Sequence, residues 1–148
     1  MIGALDRKGI EEVLRTEVVG RIGCHAGGRT YVVPVTYVYE DGAVYAHSTV
    51  GRKVEMMRVS PHVCFEVDQF LNLANWRSVI AWGVYEELDE SEAARAMGLL
   101  AARLLPLVAD ERGVPSHGLL AAPGERDGRP AVVYRIRLEE TTGRYEEN

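Results

Sequence analysis

Over Thr30–Tyr39 the chain alternates with a period of two. Tyr31, Val33, Val35, Tyr37 and Tyr39 fall on one side, and Val32, Pro34, Thr36 and Val38 on the other. That period predicts a β-strand. Glu40-Asp41-Gly42 predicts a turn, and Ala43–Ser48 the returning partner strand. Upstream, Val18–Cys24 reads as a strand. His25-Ala26-Gly27-Gly28-Arg29 is the turn after it, because paired glycines reach positive φ at little cost. Downstream, His62–Asp68 alternates as a strand, Gln69–Asn75 is a connection, and a longer strand runs from Trp76 or Arg77 to Leu88, with Gly83 as a bend or bulge. Ala131–Glu140 predicts a last strand, and Thr141–Asn148 a polar tail that frays.

Three stretches switch to helical spacing. Asp6 caps a helix to Glu17 that buries Ile10, Val13 and Leu14. A second runs over Gly51–Val59 and ends at Ser60-Pro61. A third follows Asp89, with Glu92 completing a capping-box pattern and Ala93, Met97, Leu100 and Leu104 as its buried stripe, to Leu105, where Pro106 stops it. Leu107–Pro130 has weak periodicity and many glycines and prolines, the pattern of a lid, a partner contact or a disordered excursion. The strands arrive as antiparallel hairpins, not as strand–helix–strand repeats. The expected fold is mainly β, a small antiparallel barrel with flanking α-helices, in a single domain spanning 1–148.

Composition narrows the function classes. A net charge of −5 argues against a nucleic-acid binder, whose affinity rests on neutralising phosphates, but leaves room for a local basic pocket. No apolar run approaches a membrane span, and the first residues lack a secretory pattern. Two cysteines give no disulfide framework, so a cytoplasmic location with reduced thiols is expected. Loops of the type G-x-x-x-x-G-K-[ST], G-x-G-x-x-G and G-x-S-x-G are all absent. Cys24-His25 and His62-x-Cys64 raise a metal site, but adjacent strand residues point to opposite faces and no third ligand lies nearby. No metal is expected, and Cys64 reads as a small core residue.

The candidate chemistry lies in Tyr45–Val59, where a strand runs into a helix that opens with Arg52 and Lys53. A helix N-terminus carries partial positive charge and favours acidic residues there. Two cations are accommodated if an anion sits between them and the free amides, with Ser48 and Thr49 completing a phosphate cradle. The competing reading is a surface helix whose two long side chains point into water. Pro34 within a strong strand has two readings as well. One is a plain edge strand, and the other is an edge against which a flat ligand lies. His47 leads into the cradle and is either an ordinary strand histidine or a ring that packs on a bound cofactor. Trp76-Arg77-Ser78 is a further polar–aromatic cluster, or else a surface corner.

Three segments in fixed order, Tyr31–Gly42, Val44–Met57 and Trp76–Gly83, resemble the flavin-binding split-barrel proteins related to pyridoxamine 5'-phosphate oxidase. The branch most similar contains the nitroimidazole-resistance proteins. The resemblance implies an antiparallel split β-barrel that binds FMN as a homodimer, with flavins at the subunit interface. It implies that the strand around Val33, Pro34, Val35 and Thr36 lies along the flavin ring through main-chain contacts. His47 and Ser48 would line the flavin, and Gly51, Arg52 and Lys53 would hold its phosphate. Trp76, Arg77 and Ser78 would approach from near the interface, often from the other subunit.

The oxidase proper has a C-terminal Trp and Arg that contact the pyridoxal ring. Here the stretch from Ala131 has no Trp, and Arg135, Arg137 and Arg144 match no such motif, so pyridoxamine phosphate is not carried over as substrate. The expected function is an FMN-dependent oxidoreductase acting on a small organic molecule. His47 is the only candidate for proton transfer. The rivals are a non-catalytic flavin- or haem-binding protein, a deazaflavin-dependent reductase on the same barrel, and an apo-protein holding another phosphate ester.

Overall fold

The computed structural model describes residues 1–109, 125–126 and 129–148. In chain order the elements are β1 (Ile2–Ala4), α1 (Arg7–Thr16), β2 (Val19–Ala26), β3 (Arg29–Thr36), β4 (Val38–Glu40), β5 (Ala43–Thr49) and α2 (Arg52–Val59). There follow β6 (His62–Asn72), β7 (Asn75–Glu87), α3 (Glu90–Ala109), β8 (Glu125–Arg126) and β9 (Arg129–Glu146). The strands pair antiparallel in the order β3-β2-β6-β7-β9-β5-β4, with β1 and β8 also on β9. The curled sheet is not closed, because its two ends, β3 and β4, do not pair. This is the expected split barrel.

The split falls inside what the alternation predicted as one strand. Tyr37 leaves the ladder and turns its amide to the Val18 carbonyl at 3.0 Å. Its fully buried ring meets Phe65 edge-on at 5.0 Å, and its hydroxyl donates to the Leu14 carbonyl at 2.8 Å. A period-two pattern reports facing, not pairing, so it runs unbroken across a residue where the chain changes partner. The hairpin turns fall where the glycines are. Gly27 and Gly28 sit at φ +58° and +75°, the left-handed conformation that a two-residue turn requires.

The barrel interior is filled by inward residues of every long strand, among them Ile22, Val44, Phe65, Val79 and Ile136. Helix α1 plugs it with Ile10, Val13 and Leu14. Asp6 caps α1 as expected, accepting from the Gly9 amide at 2.8 Å. Asp89 likewise accepts from the Glu92 amide at 2.8 Å, while the Glu92 carboxylate pairs with Arg135. Leu100 and Leu104 of α3 pack on Val18 and Val38. None of the helices among the described residues is long and apolar enough to cross a membrane.

Four expectations are corrected. Helix α3 runs through Pro106 to Ala109, since the ring's fixed φ is helical and the chain forfeits one backbone bond. Gln69–Asn72 extends β6, leaving a tight turn before Asn75. The tail does not fray. Thr141–Glu146 is the last third of β9, laddered to β7, with its end also paired to β1. Leu107 lies in α3 and Arg129 in β9, while residues 110–124 and 127–128 of the expected loop lie outside the described residues. Gly83 does mark a bulge, where the ladder to β9 skips Glu139. A Cβ there would run into the Arg137 carbonyl oxygen.

Candidate functional site

The N-terminus of α2 is open. Gly51 is its N-cap, so no side chain bonds to the first-turn amides, and a Cβ built at Gly51 would meet nothing within 4 Å. Arg52 and Lys53 occupy the first two helical positions, ahead of Glu55. Lys53 is half-buried, and its Nζ donates to Ser48 Oγ at 2.6 Å. The Ser48 hydroxyl in turn donates to the Thr49 carbonyl at 2.9 Å. Burial draws the Lys53 ammonium below its usual range, against an opposing effect from neighbouring Cys24. Burial also pushes the Cys24 thiol up, with Lys53 pulling it back. Arg52 is exposed, and its guanidinium lies 5.9 Å from the centre of the Tyr31 ring.

Among the described residues neither cation is ion-paired to a carboxylate. By contrast Arg21, Arg58, Arg77, Arg95 and Arg135 all are. A half-buried ammonium without a counter-anion is a cost that a bound anion relieves. Uncapped amides next to it add donors of the same kind. The donor set therefore fits a phosphate.

Lys53 and Ser48 open onto a hollow of about 290 Å³. Its walls are Pro34, Val35 and Thr36 of β3, His47 and Thr49 of β5, and Val19 of β2. The two strands meet there because the chain passes from β3 through β4 to β5 at the split. Pro34 sits on an edge strand, since among the described residues β3 pairs only with β2. The open edge leaves main-chain groups of β3 available to a ligand. Val33 points into the core, so it can offer only its backbone.

The structure thus brings together Pro34, Val35, Thr36, His47, Ser48 and Lys53, with Gly51 and Arg52 adjacent to them in the chain. Within one chain it does not bring Trp76, Arg77 or Ser78 there. Trp76 and Arg77 line a separate, larger hollow of about 690 Å³ with Gln69 and Glu146. Arg77 donates to Gln69 at 2.9 Å and pairs with Glu12 at 3.3 Å, and Trp76 Nε1 donates to Glu146 at 3.1 Å. The larger hollow has the greater volume, but its cation is already neutralised, so the smaller one is the better anion site. Sequence reasoning missed Val19, which reaches the hollow only because it pairs with Thr36. Among the described residues no cluster of His, Cys, Asp or Glu is arranged to hold a metal ion.

A split barrel with an anion-ready notch at its open edge is the class these features define. The chain belongs to the pyridoxamine 5'-phosphate oxidase family, whose family model matches residues 6–145. It is 27% identical to an uncharacterized protein of Rhizobium meliloti over 97% of this chain and 94% of that one. Among solved structures it is similar to a protein of Mesorhizobium loti described as FAD-binding, at 29% identity, 99% coverage of both chains and a TM-score of 0.77. A candidate 5-nitroimidazole antibiotic resistance protein of Bacteroides thetaiotaomicron shares the fold at 19% identity and a TM-score of 0.70, over 98% of this chain and 87% of that one.

Proposed function

We propose that this chain is a flavoprotein that holds FMN in the notch between β3, β5 and the start of α2, and that it acts as an oxidoreductase on a small organic molecule. The observation that carries this reading is the pair of cations, Arg52 and Lys53, that have no carboxylate partner among the described residues, at a helix N-terminus with no side-chain cap. Family membership and the FAD-binding relative support a flavin as the anion's owner. When bound, the flavin supplies the hydride and electron chemistry. Lys53 and the α2 amides bind its phosphate, and Arg52 adds a screened charge from outside. The β3 main chain orients the ring. His47, which lines the notch, is placed to hold or give up a proton at its imidazole. A homodimer completes the proposal, with Trp76, Arg77 and Ser78 of one copy reaching the notch of the other, in the cytoplasm, where Cys24 and Cys64 stay reduced.

The test is the absorption spectrum of freshly purified protein, followed by a mass spectrum of what denaturation releases. FMN is expected. Released FAD, the reading that the Mesorhizobium loti relative favours, would keep the notch and change the ligand. A deazaflavin would change the reaction class. A colourless protein that takes up none of these on titration overturns the proposal. Consumption of reduced nicotinamide with a nitro or quinone acceptor separates an enzyme from a carrier.

A further inference from the structure

The larger hollow, at the start of β7, has a chemistry opposite to that of the notch. Phe70 and Trp76 face each other across the β6–β7 ladder, and their rings stack 9° from parallel with centres 5.9 Å apart. On the other side of β7, Trp76 pairs with Glu146 and Arg77 with Tyr145. The three rings, with Leu5 and Leu71, wall a space of about 690 Å³. Small-molecule sites run from roughly 300 to 1,000 Å³ and combine apolar walls with a few fixed polar groups.

Those polar groups carry a negative balance. Glu17, Glu146 and Glu147 line the hollow against one guanidinium, that of Arg77. Arg77 is spent on Gln69 and on Glu12. The Met1 ammonium is close by, bonded to the Glu147 main-chain oxygen at 2.6 Å. Counting Glu12 and Met1 as well, four carboxylates stand against two cations. Two of the carboxylates are half-buried and held in place. Glu17 accepts from the Gln69 amide at 3.1 Å, and Glu146 from the Trp76 indole N–H at 3.1 Å. Both donors are neutral, so they orient the negative charge without cancelling it. Among the described residues none of the three lining carboxylates is ion-paired.

We propose that this hollow is a second ligand site, built for a small organic cation with a flat or apolar body, an alkyl- or arylammonium. Aromatic faces attract a cation through the ring quadrupole. Carboxylates fixed beside them add direct attraction, and half-burial strengthens it by lowering the local dielectric. The same balance repels phosphates and carboxylates, so the two hollows sort ligands by sign. They are also neighbours, since Glu17 lines one and Val19, two residues on, lines the other. The cation site stands on its own walls and does not depend on the flavin reading.

Calorimetric titration of the full chain with benzyltrimethylammonium, benzyl alcohol and benzoate tests this. The cation should bind saturably, about tenfold or more tighter than the alcohol, and benzoate should give no saturable heat. Trp82→Phe leaves Trp76 as the one tryptophan, and its emission should shift as the cation is added. Glu17→Gln combined with Glu146→Gln keeps both hydrogen-bond acceptors and removes their charge. That variant should bind the cation about tenfold more weakly, with its affinity for the alcohol unchanged and its urea midpoint not lowered. No saturable heat from the cation, equal affinity for the three probes, an unmoved Trp76 emission, or an unchanged cation affinity in the double variant overturns the inference. Displacement of the cation by FMN overturns it too, because the hollow would then be part of the flavin's own site. Cation binding by a protein that takes up no flavin leaves the inference standing alone. FMN binding without cation binding leaves only the flavin reading.

Discussion

Replacing Lys53 by Ala tests the notch more sharply than replacing Arg52, although the two are neighbours in sequence. Lys53 is half-buried and already oriented by Ser48, so its bond to a phosphate forms out of water. Hydrogen bonds to a charged group contribute about 1.5–3 kcal/mol. At about 1.4 kcal/mol per tenfold, Lys53→Ala should weaken FMN by about 10- to 100-fold. Arg52 is exposed, and a pair of that kind contributes about 0.2–1 kcal/mol, which is at most about fivefold. Its share should vanish in high salt, while that of Lys53 should persist. Riboflavin, which lacks the phosphate, is the control. Fluorescence titration should give Lys53→Ala an unchanged riboflavin affinity and a weakened FMN affinity. The free variant should be no less stable, because burial works against the ammonium there. Equal losses for both flavins, or a larger effect from Arg52→Ala in high salt, would refute the assignment.

Other consequences concern the fold. Gly83→Ala drives a methyl into the Arg137 carbonyl and Ile136, and overpacking of this kind costs about 1–3 kcal/mol, to be read from urea midpoints. Tyr37→Phe removes a buried bond to the Leu14 carbonyl and should cost about 0.5–1.5 kcal/mol. Tyr134→Phe removes a buried hydroxyl with no hydrogen-bond partner among the described residues and should be neutral or stabilising, so equal losses for the two would contradict the hydrogen-bond assignment. Burial, then Asp68, push the Glu66 carboxyl up to about 7, against the pull of Arg21. Between its ordinary value of 4.5 and about 7, the folded chain holds a proton that the unfolded chain has released. That group's contribution to stability therefore falls as pH rises through this window, and Glu66→Gln should flatten the slope in denaturation curves.

Elements with a strong local signal were legible in the sequence. The Asp6 and Asp89 caps, the Gly27-Gly28 turn and the start of α2 each follow from a few adjacent residues. Most of the notch was legible for the same reason, since Ser48 to Lys53 is one continuous stretch. What failed depends on distant pairing. Nothing local tells that Thr141–Glu146 finds β7 across an intervening helix, nor that Tyr37 swaps partners. The Glu66-x-Asp68 spacing could have shown two carboxyls on one strand face, but Arg21 joins them only through the β2–β6 ladder. Trp76, Arg77 and Ser78 stand apart from the notch because a single chain does not carry β7 to its own β3 edge.

The position of β9 bears on how the molecule is made. It is the one strand that joins β3-β2-β6-β7 to β5-β4, and it is the last of the described strands to leave the ribosome. Until then the nascent chain holds two fragments of sheet whose facing borders, on β7 and β5, are bare. Such borders recruit stray strands from other chains. Closure must also wait for contacts far apart in sequence, which slows it. Synthesis of this protein should therefore lean on chaperones that shield hydrogen-bonding edges more than its modest size would suggest.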